Sequence, residues 1–98
     1  MDYTVIFTES FRDDLERIVR WIAERNPDAA FRLGQRILAM SEALSFFPER
    51  HPRVRQRPAI RRFVVQKHYK VFYRIRREAR RVEVLRCWDG RRGAEPKL

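Results

Sequence analysis

Apolar and polar positions follow two rhythms along this 98-residue chain, and the rhythm changes near its middle. Tyr3-Thr4-Val5-Ile6-Phe7 is rich in β-branched and aromatic residues and predicts a first strand. Thr8 or Ser10 suits the N-cap of a helix whose early Glu9, Asp13 and Asp14 lie at the positive end of its dipole. Phe11, Leu15, Ile18 and Ile22 then recur at steps of four, three and four, which makes one buried stripe, and Trp21 widens it. Asn26-Pro27 ends this helix and opens another, because Asn caps well and Pro at the first helical position gives up a donor that has no partner anyway. Leu33, Ile37, Met40, Leu44 and Phe47 continue at helical spacing up to Pro48. So short a link predicts an antiparallel helical hairpin packed through the two stripes.

Beyond Pro48 the segment from Glu49 to Pro58 reads as a loop made basic by Arg50, Arg53, Arg55 and Arg57. From Ile60 the period becomes two. Ile60 to Gln66 predicts a strand, and Tyr69, Val71, Tyr73 and Ile75 alternate with Lys70, Phe72, Arg74 and Arg76 in the next. Phe72 is the exception on that otherwise basic face. Arg77 to Arg80 forms a turn, Val82 to Trp88 the last strand, and Asp89-Gly90 breaks it. The order β-α-α-β-β-β predicts an α+β fold: an antiparallel sheet packed on one face by the helical hairpin, with the other face free and the first strand at an edge. Residues 1–93 form a single domain, and residues 94–98 read as a flexible tail.

Charge divides the chain at the same place. There are 23 Lys+Arg against 13 Asp+Glu, a net +10, yet residues 1–49 hold six Arg and nine acidic residues. The surplus therefore belongs wholly to residues 50–98, where 17 basic residues face four acidic ones. All but three of the basic residues are Arg, the type suited to bidentate contact with carboxylates or phosphates. Such a half invites an acidic partner, either nucleic acid or a protein segment. At 44% hydrophobic the chain is not a disordered basic tail. No apolar run reaches the roughly 18 residues of a membrane span, and the N-terminus lacks a signal-peptide pattern. Cys87 stands alone, which leaves no internal disulfide and points to a reduced, cytoplasmic setting. His51 and His68 lie in different elements, so no metal or other cofactor is expected, and His51 in its loop reads as non-catalytic.

Tyr69-Lys70-Val71-Phe72-Tyr73-Arg74-Ile75, followed by Val82 through Arg92, is the most distinctive block. With the opening strand, the Asn-Pro link and Phe47-Pro48, it resembles the RelE/ParE superfamily of toxins from bacterial type II toxin–antitoxin systems. The resemblance spans nearly the whole chain and implies the fold already read from the periodicity. It also implies a cognate antitoxin with an acidic, partly disordered segment, laid along the helical hairpin or added to a sheet edge, with Arg61, Arg74, Arg76 and Trp21 as its expected contacts.

Two activities occur in that superfamily. RelE-like members are ribosome-dependent mRNA endoribonucleases, and ParE-like members inhibit DNA gyrase by binding it. For a ribonuclease the matching positions are Arg62, Lys67, His68, Tyr69 and Arg86, with Arg74 adding to the cationic cradle. Here Asp89 stands where the family pattern usually has a histidine, and Tyr69 occupies a position that is histidine in some ribonucleases. A carboxylate of ordinary pKa is a poor proton donor near neutrality, and Tyr69 or Tyr73 would need a strongly lowered pKa to act as a base. The reading therefore leans away from an enzyme and towards a ParE-like gyrase inhibitor, whose target contacts are Arg86, Trp88, Asp89, Arg91 and Arg92. The ribosome with its mRNA remains the alternative target, and a general nucleic-acid-binding domain is a third reading.

Overall fold

A computed structural model describes residues 2–98. Strand β1 (Thr4–Phe7) leads into helices α1 (Glu9–Ala23) and α2 (Pro27–Glu42), and then strands β2 (Arg53–Val54), β3 (Arg57–Val65), β4 (Tyr69–Arg76) and β5 (Arg81–Asp89). The strands form one sheet in the order β1-β5-β4-β3-β2. Phe11, Leu33, Ile37 and Leu44 meet Phe63, Val65, Tyr69, Val71, Tyr73, Val82, Val84 and Cys87 in a single core between helices and sheet. Fully burying each large apolar side chain contributes about 1.5–3 kcal/mol, so this layer carries most of the stability.

The α+β architecture is as expected, but the sheet is mixed rather than antiparallel. β1 pairs with β5 in parallel, from Thr4 opposite Arg81 to Phe7 opposite Val84, while every other pair is antiparallel. β3 and β5 each run antiparallel to β4, so β3, β5 and β1 share one direction, and the connection after α2, which holds the two-residue strand β2 paired antiparallel with β3, brings the chain into β3 in that direction.

Of the two candidate caps, Thr8 starts α1: its hydroxyl accepts from the Phe11 N–H at 3.1 Å and donates to the Leu85 carbonyl at 2.9 Å. Asn26 caps α2 by accepting from the Ala29 N–H, with Pro27 in the first turn. The second stripe stops short of its sequence pattern. α2 ends at Glu42, a 3-10 turn over Ala43–Ser45 buries Leu44, and Phe47 is 58% exposed in the left-handed region at φ 51°. A residue before proline is disfavoured in the α region, so Phe47 cannot extend the helix. Arg50 holds this corner by donating its guanidinium to the carbonyls of Ala43, Phe46 and Phe47, near the negative end of the helix.

The following turn is fixed to the sheet. The Tyr73 hydroxyl donates to the Pro48 carbonyl at 2.6 Å, and Arg61 donates to the carbonyls of Glu49 and His51. The His51 ring lies 5.0 Å from that of Phe63 and edge-on to Tyr73. The β3–β4 hairpin turns through Gln66 and Lys67, both at positive φ. Its tip is drawn to the end of β5, where the Gly90 N–H donates to the His68 carbonyl at 2.6 Å.

The sheet face opposite the helices is not wholly free. β4 keeps its period of two, which puts Phe72 on that face between Arg62 of β3 and Arg86 of β5, and Phe72 is nevertheless fully buried.

Two predictions follow from the packing of these turns. A Cβ at Gly90 would lie 2.9 Å from the His68 carbonyl oxygen. Gly90→Ala should thus cost about 1–2 kcal/mol in urea denaturation, as overpacking against backbone does; a change below a few tenths would show the approach to be slack. Burial, reinforced by Arg50, pushes the His51 pKa below its ordinary 6.5. The unfolded chain therefore takes up this proton first as pH falls through 6.5, and the stability gained from neutral His51 is lost below that point. Wild-type protein should lose stability between about pH 7.5 and about pH 5.5, whereas His51→Phe, which keeps the ring but not the proton, should lose less. Equal losses would refute the assignment.

Candidate functional site

β1 is shorter than β5, and the site begins where β1 stops. The Thr8 N–H donates to the Val84 carbonyl, after which β5 continues to Asp89 without a strand at that edge. An α1 carboxylate takes over. Asp14 is 2% exposed, and its Oδ2 accepts from the Cys87 backbone N–H at 3.1 Å and from Arg86 Nε at 2.7 Å. Its Oδ1 accepts from Arg86 Nη2 at 3.0 Å and, more distantly, from Arg17. The pairing with Arg86 is thus two-pronged, which gives both orientation and strength. Asp14 raises the Arg86 pKa through these hydrogen bonds.

Beside this junction a cleft of about 280 Å³ opens between α1 and the end of β5, lined by Asp14, Ile18, Trp21, Tyr69, Trp88 and Arg92 among others. The Arg91 guanidinium donates twice to Asp89 and once to the Tyr69 hydroxyl, and the Arg91 backbone N–H also donates to Asp89. Hydrogen bonding from Arg91 is the main cause that holds the Asp89 carboxyl below the usual range, against a smaller opposing effect of burial. Arg92 lies 4.5 Å from the Trp88 ring and Arg86 lies 5.6 Å from it. Cys87 is buried, and that burial pushes its thiol up to about 12, so it presents no reactive thiolate.

Among the expected target contacts, Trp88, Asp89, Arg91 and Arg92 gather at this end, with Arg86 beside them but bound to Asp14. The ribonuclease set is more scattered. Lys67 and His68 are exposed in the hairpin turn, Tyr69 is buried with its hydroxyl on Arg91, and Arg62 and Arg86 flank Phe72 on the far face. Tyr73 lies in the core, and burial raises its pKa to about 12, opposite to what a base requires. Of the expected antitoxin contacts, Arg61, Arg74 and Arg76 line one cleft with Arg53 and Arg77 at the opposite end of β4. Trp21 lies apart from them, 56% exposed with the Arg25 guanidinium 4.1 Å from its ring. Arg74 and Arg76 both reach Glu83; burial opposes the Glu83 charge, but these hydrogen bonds overcome it and hold the carboxyl below its ordinary range.

Sequence reasoning assigned Asp14 only to the helix dipole and missed its bond to β5. A signal was present, because Asp14 falls between Phe11 and Ile18 at helical spacing, a charged residue on the apolar stripe. Among the described residues, no group of three or more His, Cys, Asp or Glu is arranged to hold a metal ion.

Comparison with known proteins agrees with this fold. Residues 5–93 match the family described as the ParE toxin of the type II toxin–antitoxin system parDE. Toxin RelE1 of Caulobacter vibrioides is 32% identical over 93 residues, covering 92% of this chain and 96% of that protein. The RelBE2 toxin–antitoxin complex of Mycobacterium tuberculosis contains a chain similar at a TM-score of 0.65 and 26% identity, with 91% of this chain and 92% of that one covered. A chain of the chromosomal ParDE system of P. aeruginosa superposes at a TM-score of 0.75 with 17% identity, over 89% and 95% of the two chains, and shares the fold. The chain belongs to the ParE toxin family of type II toxin–antitoxin systems, within the RelE/ParE superfamily.

Proposed function

We propose that this toxin acts by docking on DNA gyrase rather than by cutting RNA. The observation that carries this reading is the commitment of Asp89 to Arg91. Cleavage at a 2′-hydroxyl needs a base, an acid and cationic stabilisation of the phosphorane. Cations are plentiful, but the carboxylate at the position of the family's usual histidine is held ionised. Tyr73 is buried and keeps its proton. A docking surface needs neither acid nor base. Trp88 and Arg92, stacked at the end of the sheet, are of the residue types that dominate interface energetics.

The proposed antitoxin partner offers an acidic, partly disordered segment. Two surfaces suit it. One is the apolar groove between α1 and α2, walled by Phe7, Phe11, Leu15, Phe31 and Leu38, which fits the apolar side of a helix. The other is the basic cleft of Arg61, Arg74 and Arg76. No described helix is long and apolar enough to cross a membrane, and the proposed place of action is the cytoplasm.

Purified toxin should block supercoiling by gyrase, and Arg92→Glu should weaken that inhibition by about tenfold or more, as reversal of an interface charge does. The variant should keep its urea midpoint, because Arg92 is exposed. Cleavage of mRNA that requires ribosomes, with no effect on gyrase, would replace this reading with the RelE-like one.

A further inference from the structure

At the end of β4 away from the candidate site, the sheet gathers arginines that the nearby acids do not balance. A cleft of about 380 Å³ lies there, lined chiefly by Arg53, Arg61, Arg74, Arg76 and Arg77, with Glu78 among them. That volume falls in the range of small-ligand sites. Strand register sets like charges against each other twice: Arg53 lies opposite Arg61 across β2 and β3, and Arg76 opposite Arg81 across β4 and β5. Directly opposed like charges destabilise a sheet. The chain offsets this only in part. Arg61 is bonded to the carbonyls of Glu49 and His51, which orient it without neutralising it. Arg74, Arg76 and Arg81 share the single carboxylate of Glu83, Arg77 pairs with Glu49, and Arg53 is exposed. Six guanidinium groups thus meet three carboxylates, those of Glu49, Glu78 and Glu83, and three positive charges are left over.

We propose that this cleft binds a compact chain of phosphates, either a free inorganic oligophosphate or the phosphate chain of a nucleotide. Guanidinium groups present planar forks of donors, and phosphate oxygens accept from them two at a time. A phosphate chain carries charge on every phosphorus and acceptors on all sides, so it can meet three spare charges within one small cleft. An acidic peptide spaces its carboxylates along a backbone and brings apolar stems, which suit a wall of arginines less well. Two of the donors are already in place: Arg61 is held by its two carbonyls, and Arg74 donates both Nε and Nη2 to Glu83. Side chains fixed in this way lose little freedom on binding. Arg61, Arg74 and Arg76 also belong to the surface proposed for the antitoxin, which makes the phosphate chain a competing occupant. Its binding is a property of the toxin alone and depends neither on that reading nor on the target.

The test titrates the toxin alone with inorganic triphosphate by calorimetry at physiological ionic strength. Arg53→Ser and Arg76→Ser should each weaken binding about tenfold, as loss of one charge-assisted hydrogen bond does. Arg36→Ser removes an equal charge from an exposed position on α2 and should change the affinity by less than about twofold. NMR amide shifts of Ala59, Arg61 and Ile75 should move on titration while those of α2 stay; this readout on the wild type decides the matter should Arg76→Ser fail to fold. ATP of equal or weaker affinity assigns the site to a free phosphate chain, and tighter ATP assigns it to a nucleotide. No binding at millimolar triphosphate, or equal losses from Arg36→Ser and Arg53→Ser, overturns the proposal. So does a ten-residue oligouridylate that binds the cleft more than about tenfold tighter than triphosphate, which would make it a nucleic-acid surface.

Discussion

A single carboxylate does the work of a missing strand. β5 runs five residues beyond the end of β1, and an open strand edge buried beside a helix would leave backbone donors without partners. Asp14 meets that need by accepting from the Cys87 N–H, and it fixes Arg86 with the same two oxygens. The interaction joins α1 to β5 across 72 residues of sequence, and it explains why a charged residue can sit in the apolar stripe of a helix. An unpaired buried carboxylate would be costly, but one bonded to a guanidinium and a backbone donor is compensated.

From that junction the geometry of the candidate site follows. Arg86 is held in place, so its remaining nitrogen reaches the Lys97 carbonyl and its guanidinium lies by the Trp88 ring. Trp88 in turn supports Arg92, while Gly90 permits the β3–β4 hairpin to close over the end of β5. Much of the positive surplus is committed to structure in this way. Arg50 and Arg61 bond to carbonyls of the connection after α2, Arg77 pairs with Glu49, and Arg74, Arg76 and Arg81 surround Glu83. The clustered arginines are thus partly the means by which a chain with few acidic residues in its second half organises its turns and strands, and the proposed contact surface of Trp88 and Arg92 is more discrete than the total charge implies.

The parts of this architecture that depend on local pattern were legible in the sequence. Thr8 and Asn26-Pro27 mark the helix starts, and the change from helical spacing to alternation marks where the sheet takes over. The parallel β1–β5 pair was not legible, because it depends on the direction in which the chain enters β3, and the connection before β3, with Arg53-Val54 in a run of arginines and prolines, has no periodicity to detect. Phe47 fits the helical spacing, but the proline after it excludes the conformation that the spacing requires. Phe72 could be recognised as an anomaly on a basic face, yet residues 94–98, which Lys70 and Arg86 beside it hold to the sheet, are polar in sequence and give no hint that Pro96 is buried. At the candidate site, Trp88 through Arg92 could be picked out by resemblance, whereas the bond from Asp14 spans most of the chain and only tertiary structure reveals it.

The most direct test of this account is a double-mutant cycle on Asp14 and Arg86, with Asp14→Ala, Arg86→Ala and the combined variant compared by urea denaturation. A two-pronged, largely buried ion pair should give a coupling energy of about 2 kcal/mol. Asp14→Ala should be the costlier single change, since it also strands the Cys87 N–H. Additive losses, with coupling below about 0.5 kcal/mol, would contradict the claim that this pair ties the helical layer to the end of the sheet that carries the candidate site.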